Sequence, residues 1–195
     1  WRDVGVVRPP GIEDHEVRSG IEPRSNTLLV FAGDADWSRG GALALNVAGD
    51  VLGIRLRERV REQLGGTYSI STHTRSSALP APNYLAYVFF GSDPERVEEL
   101  FGEVMDEVAW LRGGGEQKYL DTVKEQLRTA RQEDLRRNGF WLTQIRTAAQ
   151  RGEPFAEMVG FEDRLDALTL EDVAAAAELY FTPERYVRVV LFPVE

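Results

Sequence analysis

The strongest constraint on the fold is a change of hydrophobic period near residue 41. Upstream of it, Thr27-Leu28-Leu29-Val30-Phe31 is a continuous apolar run, as expected of a strand central in a sheet or covered on both faces. Downstream, Ala44, Ala48, Leu52, Leu56 and Val60 recur at four-residue spacing with Val47 and Val51 beside them. That row predicts one apolar face of a long helix from about Gly41 to Leu64. Its far end, Arg55 to Glu62, alternates Arg and Glu, and Gly65-Gly66 stops it.

The rest of the chain repeats this alternation. Residues 14–20 and 26–32 read as two strands joined by a turn at Glu22-Pro23-Arg24-Ser25-Asn26. Residues 67–76 and 83–90 read as a hairpin, because Ala78-Leu79-Pro80-Ala81-Pro82 cannot lie in a central strand. Asp93-Pro94-Glu95 predicts a helix start with a capping side chain, and apolar spacing continues it to Gly113-Gly114-Gly115. A second helix is expected from about Glu116 to Arg137. Asn138-Gly139 breaks it, and Phe140-Trp141-Leu142 opens a shorter one. Thr169-Leu170-Glu171-Asp172 resembles a capping box ahead of an alanine-rich helix ending near Tyr180, and a last strand runs from Tyr186 to Phe192. The order ββα-ββαααα-β predicts an α+β two-layer sandwich, a mostly antiparallel sheet with its helices on one face. Residues 1–13, with Gly5, Pro9, Pro10 and Gly11, read as a linker or entry segment, and 14–195 as a single domain. The chain opens on Trp1, so a fragment is expected whose upstream residues would carry any targeting signal.

Composition excludes several classes of function. A net charge of −9 argues against nucleic-acid binding, which needs clustered Lys and Arg. No window is long and apolar enough for a membrane span. The absence of cysteine removes thiolate zinc sites and thiol nucleophiles. Gly113-Gly114-Gly115 follows a helix and lacks the Lys-Ser/Thr of a phosphate loop, so it reads as an interhelical hinge. No G-x-S-x-G is present for a serine nucleophile. The two histidines, His15 and His73, fall in strands and in no HExxH or HxxEH helix, so no metal site is expected in this chain.

One segment keeps a chemical reading open. At Arg61-Glu62-Gln63-Leu64-Gly65-Gly66-Thr67-Tyr68-Ser69 a long helix ends, two glycines allow a sharp turn and a strand begins. Arg61 and Tyr68 then lie at the same end of the sandwich. A guanidinium offers up to five donors and a phenol one, all suited to carbonyl oxygens or a developing oxyanion. Spacing alone favours a plainer account, an Arg stabilised by the helix C-terminal dipole and a Tyr anchoring a sheet edge.

The same segment resembles the Arg-Tyr signature of the M16 (insulinase/pitrilysin-like) zinc peptidases, L-R-E-x-x-G-x-x-Y-S, in order and spacing. Val51-Leu52-Gly53-Ile54-Arg55-Leu56 upstream is similar to the family's approach to that motif. Downstream, Asp93-Pro94-Glu95-Arg96-Val97, Asn138-Gly139-Phe140-Trp141 and the final strand toward Pro193 also resemble its C-terminal domain. The likeness extends from about Glu16 to Glu195 and includes the large bacterial zinc peptidases of the PqqL type.

The resemblance implies the fold of the mitochondrial processing peptidase and its relatives. It also implies that this is a non-catalytic domain completing a site whose zinc-binding HxxEH helix lies in a partner half, on the same polypeptide or a separate subunit. Tyr68 would then donate to the scissile carbonyl or its oxyanion, and Arg61 would hold a nearby backbone carbonyl of a peptide substrate. The chain would hold no cofactor and be inactive alone, and a periplasmic or secreted location is favoured. The alternatives are a structural or assembly module, as in core subunits of respiratory complexes, and a stand-alone peptide-binding domain using a sheet edge.

Overall fold

The computed structural model describes residues 10–194 apart from Leu64, Gly66 and Tyr68, with the main chain alone for Arg61, Glu62 and Gln63. Five strands, β1 (Glu13–Arg18), β2 (Ser25–Asp34), β3 (Ser69–Ser77), β4 (Asn83–Ser92) and β5 (Val187–Phe192), form one sheet in the order β1-β5-β2-β4-β3. Three of the four pairings are antiparallel and β1 with β5 is parallel. Side-chain alternation divides the sheet cleanly. Leu29, Phe31, Tyr84, Ala86, Val88 and Phe90 are buried against the helices, while their neighbours Leu28, Val30, Leu85, Tyr87 and Phe89 are only partly covered on the opposite face. The helices therefore form a single layer on one face, as expected of an α+β sandwich.

The first two strands differ from expectation. They are consecutive in sequence, yet β5 lies between them: Leu28 faces Val189 on β5, and Val189 faces His15 on β1. The reason is polarity. Every residue of β1, Glu-Asp-His-Glu-Val-Arg, is exposed and suits a sheet edge, whereas the Val-Arg-Val-Val-Leu-Phe of β5 suits an interior position. The second pair, β3 and β4, is the expected hairpin.

Helix α1 (Arg39–Leu56) is the central element of the helical layer, and Ser38 caps it by accepting from the Gly41 amide at 2.9 Å. It is buried on most of its circumference through Leu43, Leu45, Val47, Ala48, Val51, Leu52 and Leu56, because it touches β3 on one side and other helices on the rest. Two glycines four residues apart set its approach to β3. A Cβ on Gly49 would lie 2.4 Å from Thr74 Cγ2, and one on Gly53 would lie 2.5 Å from Thr72 Oγ1. The threonine hydroxyl of Thr72 closes this contact by donating to the Gly49 carbonyl at 2.9 Å. The helix is not α-helical to its expected end. From Arg57 to Gln63 it widens into a π-helix.

The remaining helices are α2 (Val97–Arg112), α3 (Gln117–Asp134), α4 (Asn138–Arg151), α5 (Phe161–Ala167) and α6 (Leu170–Tyr180). Asp93 makes no side-chain cap, and a 3-10 turn at Pro94–Arg96 leads into α2. Asn138-Gly139 opens α4 rather than breaking the chain, the break falling just before it. The short turn Phe155–Met158 and α5 were not expected. The capping box is present: Thr169 Oγ1 accepts from the Asp172 amide at 3.1 Å, and Asp172 accepts from the Thr169 amide at 2.8 Å. No helix among the described residues is long and apolar enough to cross a membrane.

Candidate functional site at the α1–β3 junction

The junction between α1 and β3 is anchored on both sides by polar contacts. On the helix side, Arg55 Nε donates to Glu107 Oε2 at 2.7 Å, and its terminal nitrogen lies 3.3 Å from Tyr119 Oη. Tyr119 in turn donates to Glu58 Oε2 at 2.6 Å, so the second residue of the π-helix is tied to α3. Arg59, one residue on, pairs with Glu103 at 3.4 Å and approaches Glu107 at 3.9 Å. The Arg55 guanidinium lies over the Trp110 ring, and Trp110 meets Tyr119 edge-on at 5.5 Å.

Glu107 is 5% exposed, a carboxylate buried among its hydrogen-bonding partners. Burial opposes the charge on Arg55, but its hydrogen bonds to Glu107 and Tyr119 outweigh that, and its pKa is raised above the ordinary arginine value. Three carboxylates, two guanidiniums and a phenol thus hold the π-helix against α2 and α3. A π-helix carries one more residue per turn than an α-helix, so it re-aims the side chains that follow, and such turns recur at functional sites.

On the strand side, Gly65 has φ +56, a left-handed conformation that reverses the chain direction and favours glycine. Thr67 then pins the start of β3. Its hydroxyl lies 2.7 Å from the Ser69 carbonyl and beside that of Gly91 on β4, and accepts from the Ser69 amide at 3.2 Å.

Of the two expected site residues, Arg61 has its main chain within the π-helix and its side chain outside the described residues; Tyr68 lies wholly outside them. Glu58, Glu103, Glu107 and Tyr119 were missed as supporting residues. A signal for one was present: Glu107 falls on the apolar stripe Val104, Val108, Leu111, where an acid needs a partner.

The two histidines are not brought together. His15 is on β1, its Nε2 3.2 Å from Glu13, and His73 is on β3, stacked against Tyr87. These strands are the opposite edges of the sheet, four strand spacings or about 19 Å apart. Among the described residues no group of three or more His, Cys, Asp or Glu is placed to hold a metal ion.

Comparison with known proteins gives the family. Residues 4–127 match the model described as the peptidase M16 inactive domain. Over 90 residues the chain is 29% identical to "Probable zinc protease PqqL" of Haemophilus influenzae, an alignment covering 45% of this chain and 10% of that protein. The periplasmic protease PqqL of Escherichia coli superposes with a TM-score of 0.82 at 21% identity, over 97% of this chain and 21% of that one. The peptidase M16 inactive domain from Pseudomonas fluorescens gives 0.78 at 22% identity, over 98% of this chain and 46% of that one. The chain thus spans about a fifth of one solved relative and under half of the other. The two superpositions show the shared fold, and the family model, matched over more than half of the sequence, shows membership: this protein belongs to the M16 peptidases, through the domain that the family describes as inactive.

Proposed function

We propose that this chain is the substrate-contacting, non-catalytic part of an M16 zinc endopeptidase, a single domain from residue 14 onward. In this reading Tyr68 donates to the scissile carbonyl of a bound peptide or to its tetrahedral oxyanion, and Arg61 holds a neighbouring backbone carbonyl. Zinc and the HxxEH helix come from a partner half, covalently joined or separate. The observation that carries the reading is the anchored junction. The π-helix is fixed by Arg55, Glu58, Glu107 and Tyr119, and the start of β3 by Thr67. In sequence, Arg61 therefore falls within the first anchored segment and Tyr68 between Thr67 and the first residue of β3. Donors held in advance toward developing charge need no reorganisation as the charge forms, which is what makes such groups effective. The share of relatives that this chain spans supports a partner half, and PqqL, described as periplasmic in Escherichia coli, supports a periplasmic or secreted location.

The test is peptide hydrolysis by these 195 residues alone, with and without zinc, and again with the HxxEH-bearing half present. Turnover is expected only in the last case. Zinc-dependent turnover by this chain alone would overturn the reading.

A further inference from the structure

The opposite end of α1 carries a second polar site that the Arg-Tyr reading does not use. A cleft of about 400 Å³ opens between the first turns of α1, the last residues of β3, and helices α4 and α5. Four arginines line it, Arg39, Arg75, Arg151 and Arg164, together with Trp37 and Gln144, and no Asp or Glu among the described residues lines it. In a chain of net charge −9 this is a local reversal of sign.

The cations are incompletely satisfied. The Arg151 guanidinium lies over the Trp37 indole, its central carbon 3.9 Å from the ring centroid, with its side chain 21% exposed. Its nearest carboxylate, Glu153, is 3.9 Å away, beyond hydrogen-bond range. Arg39 makes a charge-assisted bond to Glu153 at 2.6 Å, and its buried Nε has no acceptor among the described residues. Arg75 has no ion-pair partner among the described residues, while Arg164 is engaged by Glu157 behind the cleft. Burial lowers the pKa of Arg151, the nearby Glu153 carboxylate opposes that, and the neighbouring Arg39 adds a smaller downward push. An arginine stacked on an aromatic ring has its fork fixed in one plane, the arrangement suited to bidentate capture of a carboxylate.

We propose that this cleft is a subsite for the carboxylate side chain of an acidic residue in the peptide substrate. The proposal rests on the peptide-binding reading above and adds a substrate preference to it. A peptide can reach both ends of α1. Among the described residues the strand β3 is an edge of the sheet, and Ser69 and Thr74 on it are about 17 Å apart. A substrate lying along that edge would put an acidic residue in the cleft about five or six residues from the bond near Tyr68.

The test uses the complete polypeptide and labelled peptides that differ only in carrying Glu or Gln at that spacing, read by fluorescence anisotropy. The Glu peptide is expected to bind about tenfold more tightly, the worth of a charge-assisted hydrogen bond at a partly exposed site. Arg151→Gln is expected to erase that preference and leave the Gln peptide within about twofold. Gln144→Glu, which adds charge without removing the stacked pair, is expected to do the same. Equal binding of the two peptides, or a preference surviving both variants, would overturn the subsite and leave the peptide reading intact. No binding of either peptide would overturn both. Displacement of the Glu peptide by inorganic phosphate at equal concentration would show a small-anion site and overturn the assignment to peptide.

Discussion

The two ends of α1 carry similar residues in opposite conditions. At its C-terminal end Arg55 and Arg59 pair with Glu103 and Glu107, with Tyr119 linking Arg55 to Glu58. At its N-terminal end arginines from four elements face a cleft without a lining carboxylate, and a buried donor on Arg39 and a buried acceptor on Glu153 go unmatched. A network paired within the chain holds the chain in place. An open one retains donors, and is stabilised when something outside the chain fills them. The helix joins a structural charge cluster to a recognition cluster, and Gly49 and Gly53 between them keep both in register with β3.

The comparison predicts a graded set of stabilities, measured by urea unfolding of the purified chain. Glu107→Ala should have the largest effect, about 3 kcal/mol, because it leaves the mostly buried Arg55 without its carboxylate. A smaller loss would mean that this network does not hold the chain in place. Gly53→Ala should cost about 1–3 kcal/mol, since the new methyl would collide with Thr72, and Thr72→Ala in the same chain should recover most of it. Failure of that rescue would show that the helix is not held against β3 at this point. Arg151→Gln should cost least, under about 1 kcal/mol, because only an aromatic contact and no hydrogen-bonded carboxylate is lost. A loss as large as that for Glu107→Ala would erase the contrast between the two ends.

Much of the architecture was legible because it is local. The period change marked α1, Ala78 to Pro82 a hairpin loop, and Thr169 with Asp172 a capping box. What was not legible depends on distance or on small energy differences. β1 beside β5 joins residues some 170 positions apart, and no local pattern records that pairing. The π-helix at Arg57–Gln63 preserves the apolar spacing of Leu56 and Val60, so it reads as ordinary helix. Helix α5 buries Leu165 alone, too little to produce a period. The cleft arginines are scattered from residue 39 to 164, and only the fold brings them to one place. The junction was found through its motif, whereas the side chains that hold it, Glu107 and Tyr119, were hidden among many surface acids and helix aromatics.

The central claim is that this domain serves catalysis through donors while another part of the enzyme supplies the zinc. The direct measurement is steady-state peptide hydrolysis by the assembled enzyme carrying Tyr68→Phe. Loss of one oxyanion donor should lower kcat by about 100- to 1,000-fold with little change in KM. A kcat within about twofold of the unaltered enzyme would contradict the account, because uniform binding or a structural role leaves the chemical step untouched.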